Sequence, residues 1–193
     1  MDTEIYLVRH GETEWNEQQR LQGRLDSPLT PCGREQAIRL GLILAARLGP
    51  HHRLPMYVSP LRRARETADI IRQYAQGPDP IYEERIQEIS LGAWEGQTMV
   101  DVEARWPGLV EDYTGTAWWF RAPGGESYDQ CKGRVEGWLT ELTGPVIAVS
   151  HGITGRLIRG AVLGLPPQEA LLLPSPQDVV WRLFNHHIEA LCL

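Results

Sequence analysis

The sequence carries two histidine–glycine pairs, His10-Gly11 and His151-Gly152, with Arg9 directly before the first. An imidazole attacks or relays a proton near neutral pH, and a guanidinium offers a fork of donors that fits phosphate oxygens. Glycine beside the histidine lets a bulky phosphate approach the backbone. Two imidazoles and an arginine around one anion are the makings of phosphoryl chemistry. Arg62, Arg63 and Arg65 fall in the first turns of a predicted helix, whose N-terminus is already electropositive. A bound anion there would relieve the repulsion. Arg63 is assigned to the site, Arg62 and Arg65 to a solvated face. Ester cleavage also needs a proton donor, and Glu84, Glu88 and Glu95 stand in one stretch around Trp94. Spacing alone does not choose among the three. Asn16 and Gly23 are amide donors to an anion on one reading and turn formers on the other.

These residues need elements that bring them together. Ile5-Tyr6-Leu7-Val8 and Val146-Ile147-Ala148-Val149 are short, largely β-favouring runs, each leading to its His-Gly. Neighbouring strand ends in an open α/β sheet converge on one crevice, so the echo predicts one site built from both halves of the chain. Thr30-Pro31 reads as an N-cap and first-turn proline before Ala37, Leu40, Leu44, Ala45 and Leu48 at helical spacing. Met56-Tyr57-Val58 is a short strand, Ser59-Pro60 caps a helix over 61–74, and Ile81-Tyr82 begins an extended segment. Ser127 and Gln130 have capping-box spacing ahead of an apolar stripe through Val135, Trp138 and Leu139. A helix from about Ile153 to Leu163 points its N-terminus at His151. Gly164 to Pro176 reads as a connection, and Val179 to Leu183 as a last strand. The expectation is one α/β domain over residues 1–193, a mostly parallel central sheet with helices on both faces.

The stretch from Val102 to Phe120, with breaks at Pro107-Gly108 and Gly115, reads either as a helical excursion whose rings wall a pocket or as core filling. Its Trp118 and Trp119 would favour an apolar or aromatic leaving group. His51-His52 and His186-His187 have no carboxylate or cysteine partners nearby and read as surface rather than metal ligands. Cys32, Cys131 and Cys192 are too scattered for a disulfide framework or a zinc site. A net charge of −6 argues against general nucleic-acid binding, so an anionic substrate must be captured locally. Asp2 and Glu4 stand where a signal peptide carries positive charge, and no apolar run approaches membrane-spanning length. A cytoplasmic protein is expected, with neither membrane nor nucleic acid as partner and a homodimer left open.

The run Leu7-Val8-Arg9-His10-Gly11-Glu12-Thr13 with Trp15-Asn16 resembles the signature of the histidine phosphatase superfamily, the phosphoglycerate-mutase-like proteins. Further stretches match in the family's order: Gln22-Gly23 through Leu29-Thr30, Ser59-Pro60-Leu61-Arg62-Arg63-Ala64, Glu88 with Trp94-Glu95-Gly96, Pro123-Gly124-Gly125-Glu126-Ser127, and Ser150-His151-Gly152. They look most like the broad-specificity and α-ribazole phosphatase branch. The resemblance implies that His10 becomes a phosphohistidine, that Arg9, Arg63 and His151 form the phosphate pocket with Asn16, Gly23 and Gly152 beside it, and that Glu88 donates the proton. It implies no metal and no cofactor. The expected activity is hydrolysis of a small phosphorylated metabolite, with a cofactor-dependent phosphoglycerate mutase and a binding module without turnover as alternatives. Pro174 to Asp178 departs from the asparagine that relatives often carry before the last strand, in a region expected to be peripheral to the phosphate.

The chemistry fits these assignments. His10 must keep an unprotonated nitrogen, and Arg9, Arg63 and a charged His151 would lower its pKa while stabilising the transferring oxygens. A carboxyl beside bound phosphate is favoured in its protonated form, so an acidic to neutral optimum is expected.

Overall fold

A computed structural model describes residues 3–110 and 117–193; Asp2 and the Gly115 break lie outside them. The chain runs β1 (Ile5–Arg9), α1 (Glu14–Glu17), α2 (Pro31–Leu48), β2 (Met56–Val58), α3 (Arg62–Ile71), β3 (Ile81–Tyr82), α4 (Met99–Arg105), α5 (Tyr128–Thr140), β4 (Val146–Ser150), α6 (Gly152–Leu163), α7 (Pro167–Leu172), β5 (Val180–Phe184) and β6 (His187–Leu191). The strands form one sheet in the order β3-β2-β4-β1-β5-β6. β1 to β4 are mutually parallel, and β5 and β6 join antiparallel at one edge.

Side chains alternate across the strands, and both faces are covered. Tyr6, Val8, Ile147 and Val149 pack under Leu40, Ile43 and Leu44 of α2 and Ala64, Ala68 and Ile71 of α3. Ile5, Leu7, Val146 and Ala148 face Val135, Trp138 and Leu139 of α5 and Ile158 and Val162 of α6. A third cluster, built on Trp94, Leu91, Val102, Val110, Ile153 and Leu157, roofs the carboxyl ends of the parallel strands.

Several elements depart from the sequence reading. Ser59-Pro60 does not cap α3. Leu61 is the cap residue and makes no side-chain capping bond, because the Asp26 carboxylate accepts from Arg62 N (3.0 Å) and Arg63 N (3.3 Å) in its place. The expected connection from 164 to 176 contains α7, which carries the Pro166-Pro167 start that first-turn proline favours. Val180–Phe184 is not the last strand but half of a hairpin, turned by Asn185 and His186 at φ 46° and 60°. Two left-handed residues suit the twist of a two-residue hairpin. His51, His186 and His187 are exposed as expected, whereas His52 is buried.

Gly11 has a different reason from the one expected. A Cβ built on it would sit 2.2 Å from the Gly33 carbonyl oxygen, and one built on Gly33 would sit 2.0 Å from the Glu12 carbonyl oxygen. The first turn of α2 thus packs directly on the backbone after His10. Two glycines permit that approach, and it fixes where the histidine-bearing loop lies.

Candidate active site

The parallel strands deliver the two histidines side by side. β1 and β4 pair in a register that sets Arg9 against Ser150, and His10 N donates to Ser150 O at 3.0 Å. The next residues are His10 and His151, whose rings stand 5.1 Å apart. β2 ends at Val58, opposite Val149, so Ser59 follows alongside and its Oγ lies 2.6 Å from His151 Nε2. The serine read as a helix cap belongs to the site.

The partners of His10 settle its tautomer. Nδ1 lies 2.8 Å from the Gly11 carbonyl, which only accepts, so Nδ1 carries the proton. Arg63 Nε, which only donates, lies 3.2 Å from His10 Nε2. Nε2 therefore holds the lone pair. Burial pushes the pKa of His10 well below its ordinary 6.5, and Arg63 and Arg9 push it further; His151 is lowered by burial, then by Arg63, His10 and Arg9. Arginine charge was anticipated, but burial, the larger cause, follows from the packing. Both rings stay neutral at physiological pH.

That neutrality has a stability consequence. Unfolded histidines take up protons near pH 6.5, while the folded ones resist to lower pH. Above that pH neither state is protonated and no penalty applies; below it the unfolded state binds more protons and stability falls. The melting temperature is expected to decline as pH drops from about 6.5 to about 5, and the decline to be shallower in His151→Gln. Scanning calorimetry across that range checks it, and identical slopes would remove the assignment.

Arg63 is held from all sides. Nη1 donates to Leu25 O (2.7 Å) and Asp26 Oδ1 (2.8 Å), and Nη2 donates to Gly23 O (2.8 Å). The anion that the arginine-rich start of α3 calls for is Asp26, a side chain of the protein itself. Arg62 pairs with Glu66 at 2.7 Å on the surface, and Arg65 lies over Tyr82, so neither enters the site. Gly23 serves as a turn residue: φ is 54°, and a Cβ would stand 2.3 Å from Glu95 Oε1. Arg9 donates from Nη1 to Ser175 O at 2.6 Å, while its buried Nε has no partner among the described residues. Burial lowers its pKa to about 10, so it remains a cation at neutral pH.

The three carboxylates separate cleanly. Glu84 is exposed on a short 3₁₀ turn. Glu95 is committed to backbone, accepting from Leu91 N (2.9 Å) and Arg24 N (3.0 Å). Glu88 faces the cavity at the N-terminus of α6: Oε1 accepts from Ile89 N, Thr154 N and Thr154 Oγ1, each at 3.1 Å, and Oε2 from Ile153 N alone, also at 3.1 Å. Oε2 is the freer oxygen. Gly152 puts no side chain between it and Arg9; a Cβ there would be 3.6 Å from Glu88 Oε2 and from the Arg9 guanidinium carbon.

These groups surround a cavity of about 250 Å³ lined by Arg9, Asn16, Gly23, Arg63, Glu88 and Gly152 together with Trp119, Arg156 and Ser175. His10 and His151 are 2% and 1% exposed and lie deeper. Asn16 Oδ1 is occupied by Thr13 N and Gln177 Nε2 (both 3.2 Å), which assigns its NH₂ the free side. Of the tryptophans, Trp119 lines the cavity, and Trp118 stands between it and the fully buried Trp94, with ring centroids 4.8 and 6.0 Å away. The wall and core readings of this stretch each hold for one ring.

The region expected to be peripheral is not. Three successive carbonyls, those of Leu173, Pro174 and Ser175, accept from Arg156 Nε (2.7 Å), Arg159 Nη2 (2.6 Å) and Arg9 Nη1 (2.6 Å). Gln177 Nε2 then donates to His10 O at 3.1 Å. This strap positions Arg9 and the His10 backbone. Asp26, Ser59, Thr154 and Gln177 were missed as site residues; only the surplus of arginine at the start of α3 signalled one of them, as the need for an anion. Among the described residues no three His, Cys, Asp or Glu side chains group as metal ligands, and no helix is long and apolar enough to cross a membrane.

Comparison with known proteins agrees with this geometry. A protein of Salmonella paratyphi C named probable phosphoglycerate mutase GpmB is 37% identical over 172 residues, covering 84% of this chain and 76% of that one. Among solved structures, YhfR of Bacillus stearothermophilus is 31% identical with a TM-score of 0.80, over 97% of this chain and 95% of that one. A mycobacterial glucosyl-3-phosphoglycerate phosphatase, solved as a complex with VO3, is 28% identical with a TM-score of 0.80, over 97% and 96% of the two chains. The profile of the histidine phosphatase superfamily (branch 1) matches residues 5–183, from the first strand to the last strand that joins β1. Paired strand-end histidines, the arginines around them and a match of that extent make the chain an enzyme of the histidine phosphatase superfamily, branch 1.

Proposed function

We propose that the chain is a phosphomonoesterase that hydrolyses a small phosphorylated metabolite through a phosphohistidine on His10, with Glu88 as proton donor. The observation that carries this is the His10 ring itself. Its Nε2 lone pair is fixed by a proton-bearing Nδ1 on Gly11 O and by Arg63 Nε, with the cavity's guanidiniums around it.

In the first step Nε2 bonds to phosphorus as the bond to the ester oxygen breaks, and protonated Glu88 gives its proton to the leaving alkoxide. Arg63 Nε gives up Nε2 and, from its fixed place, donates with Arg9 to the phosphoryl oxygens, where charge develops. The phosphorylated ring keeps its Nδ1 proton and is cationic, with the Gly11 carbonyl as its acceptor. In the second step the Glu88 carboxylate takes a proton from water, the water oxygen bonds to phosphorus, and the electron pair returns to Nε2. The cycle ends with neutral His10, protonated Glu88, alcohol and phosphate. The VO3 complex of the mycobacterial relative supports a site of this kind, vanadate being a phosphate-like oxyanion.

Transfer of the phosphoryl group to a second acceptor, the mutase reading, is favoured by one observation, the name of the 37% identical Salmonella protein. The test is rapid-quench trapping over a panel of phosphorylated metabolites. The expected result is an acid-labile, base-stable phosphoenzyme that decays to inorganic phosphate. Transfer to phosphoglycerate faster than phosphate release would establish the mutase reading. Neither phosphoenzyme nor release from any substrate would leave a binding module.

A further inference from the structure

The partners of His151 place its proton. His151 follows β4 and Ser59 follows β2, and Ser59 N donates to Val149 O at 3.0 Å, so the serine is tied to the strand that carries the histidine. Its Oγ lies 2.6 Å from His151 Nε2 and accepts from Leu61 N at 3.4 Å. Ser59 is fully buried, which keeps its hydroxyl proton from solvent. With Leu61 N on one lone pair, the hydroxyl has its donor side left for Nε2, a lone pair that only a donor can satisfy.

The other ring nitrogen, Nδ1, is buried and makes no hydrogen bond among the described residues. The His10 and His151 ring centroids are 5.1 Å apart, so a phosphoryl group on His10 Nε2 comes beside His151. Nε2 being taken, the nitrogen left for a phosphoryl oxygen is Nδ1. Oxygens of a phosphate dianion only accept, so Nδ1 must bring the proton. A ring with two protons would do so as well, but burial, then Arg63, His10 and Arg9, hold His151 neutral. A neutral imidazole has one N–H, and the partner of one nitrogen decides where it sits.

We propose that Ser59 is a positioning residue: its hydroxyl donates to His151 Nε2 and so fixes the tautomer that carries its proton on Nδ1, from which His151 donates to the transferring phosphoryl group. This rests on the phosphomonoesterase reading above. No proton leaves His151 in either step. The ring offers a hydrogen bond to the developing charge without adding a third cation to Arg9 and Arg63, and the leaving-group proton stays with Glu88. Leu61 is the cap residue of α3 and Arg63 the second residue of that helix, so one turn positions both donors.

Nitrogen-15 NMR of histidine-labelled protein at neutral pH, free and with vanadate, reads the tautomer directly, His151 being assigned by the signals lost in His151→Gln. Wild type is expected to show a pyrrole-like Nδ1 and a pyridine-like Nε2 in both states. In Ser59→Ala the free ring is expected to shift toward a protonated Nε2, and kcat for p-nitrophenyl phosphate to fall by roughly 10- to 100-fold with KM changed less. Ser59→Thr, which keeps the hydroxyl, is expected to retain the wild-type tautomer and most of the kcat. A proton on Nε2 in wild type, or on both nitrogens in the vanadate complex, overturns the proposal whether or not either variant folds. So does an unchanged tautomer in Ser59→Ala, or a kcat there within about twofold of wild type. Wild-type turnover of p-nitrophenyl phosphate upholds the phosphatase in each of those cases; its absence overturns that reading and the role of Ser59 with it.

Discussion

His10→Ala is expected to form no phosphoenzyme and to lose roughly 10⁴-fold or more in kcat, the scale of removing the nucleophile from a covalent mechanism. No neighbouring group can take over. His151 is the nearest imidazole, but its Nε2 is engaged with Ser59 at 2.6 Å, and Glu88 and Asp26 are carboxylates committed to backbone amides and to Arg63. The loss should be chemical rather than structural. The buried ring makes one hydrogen bond to its own neighbour's carbonyl and one to an arginine held by three other acceptors, so Arg63 keeps its place without it. Far-UV circular dichroism should therefore match wild type, and the space vacated by the ring should let added imidazole restore part of the phosphate release. Turnover within tenfold of wild type, or a trapped phosphoenzyme in the variant, would remove His10 from its role.

The central sheet and its two histidines were readable because strand, His-Gly and helix recur in both halves, and local pattern fixes each copy. The helices on either face were readable for the same reason, through the Thr30 and Ser127 caps and their apolar stripes. What escaped was long-range. Asp26 caps α3 from 36 residues away, so no local signal at Ser59-Pro60 could show that the cap was already supplied. Arg9 meets Ser175 across 166 residues of sequence, and Gln177 reaches His10 across 167. Pairings of that kind follow from the sheet order, which places β5 beside β1, and the sequence carries no local trace of them.

The choice among Glu84, Glu88 and Glu95 shows the same limit at the level of one function. All three are carboxylates in one loop-rich stretch, and residue type cannot rank them. Resemblance to a family selected Glu88, and the packing supplies an independent reason: Glu95 is the loop's internal brace, Glu84 is in solvent, and Glu88 alone lines the cavity. Gly11 is the reverse case. The residue was identified as special, but the cause is close contact with Gly33 rather than room for a ligand.

Glu88→Gln is expected to show how the proton is delivered. Glutamine keeps the shape and retains an oxygen that can accept from Thr154 N, but it has no proton to give, so kcat for alkyl phosphates should fall by about 10²- to 10⁴-fold. In kcat/KM, which reports the first step alone, the fall should be much smaller for p-nitrophenyl phosphate, because its leaving group departs as a stabilised anion and needs little protonation in the transition state. With aryl phosphate, phosphorylation of His10 should outrun the second step, where glutamine cannot take a proton from water, and phosphohistidine should accumulate. Equal losses in kcat/KM on alkyl and aryl esters would assign the proton to another group.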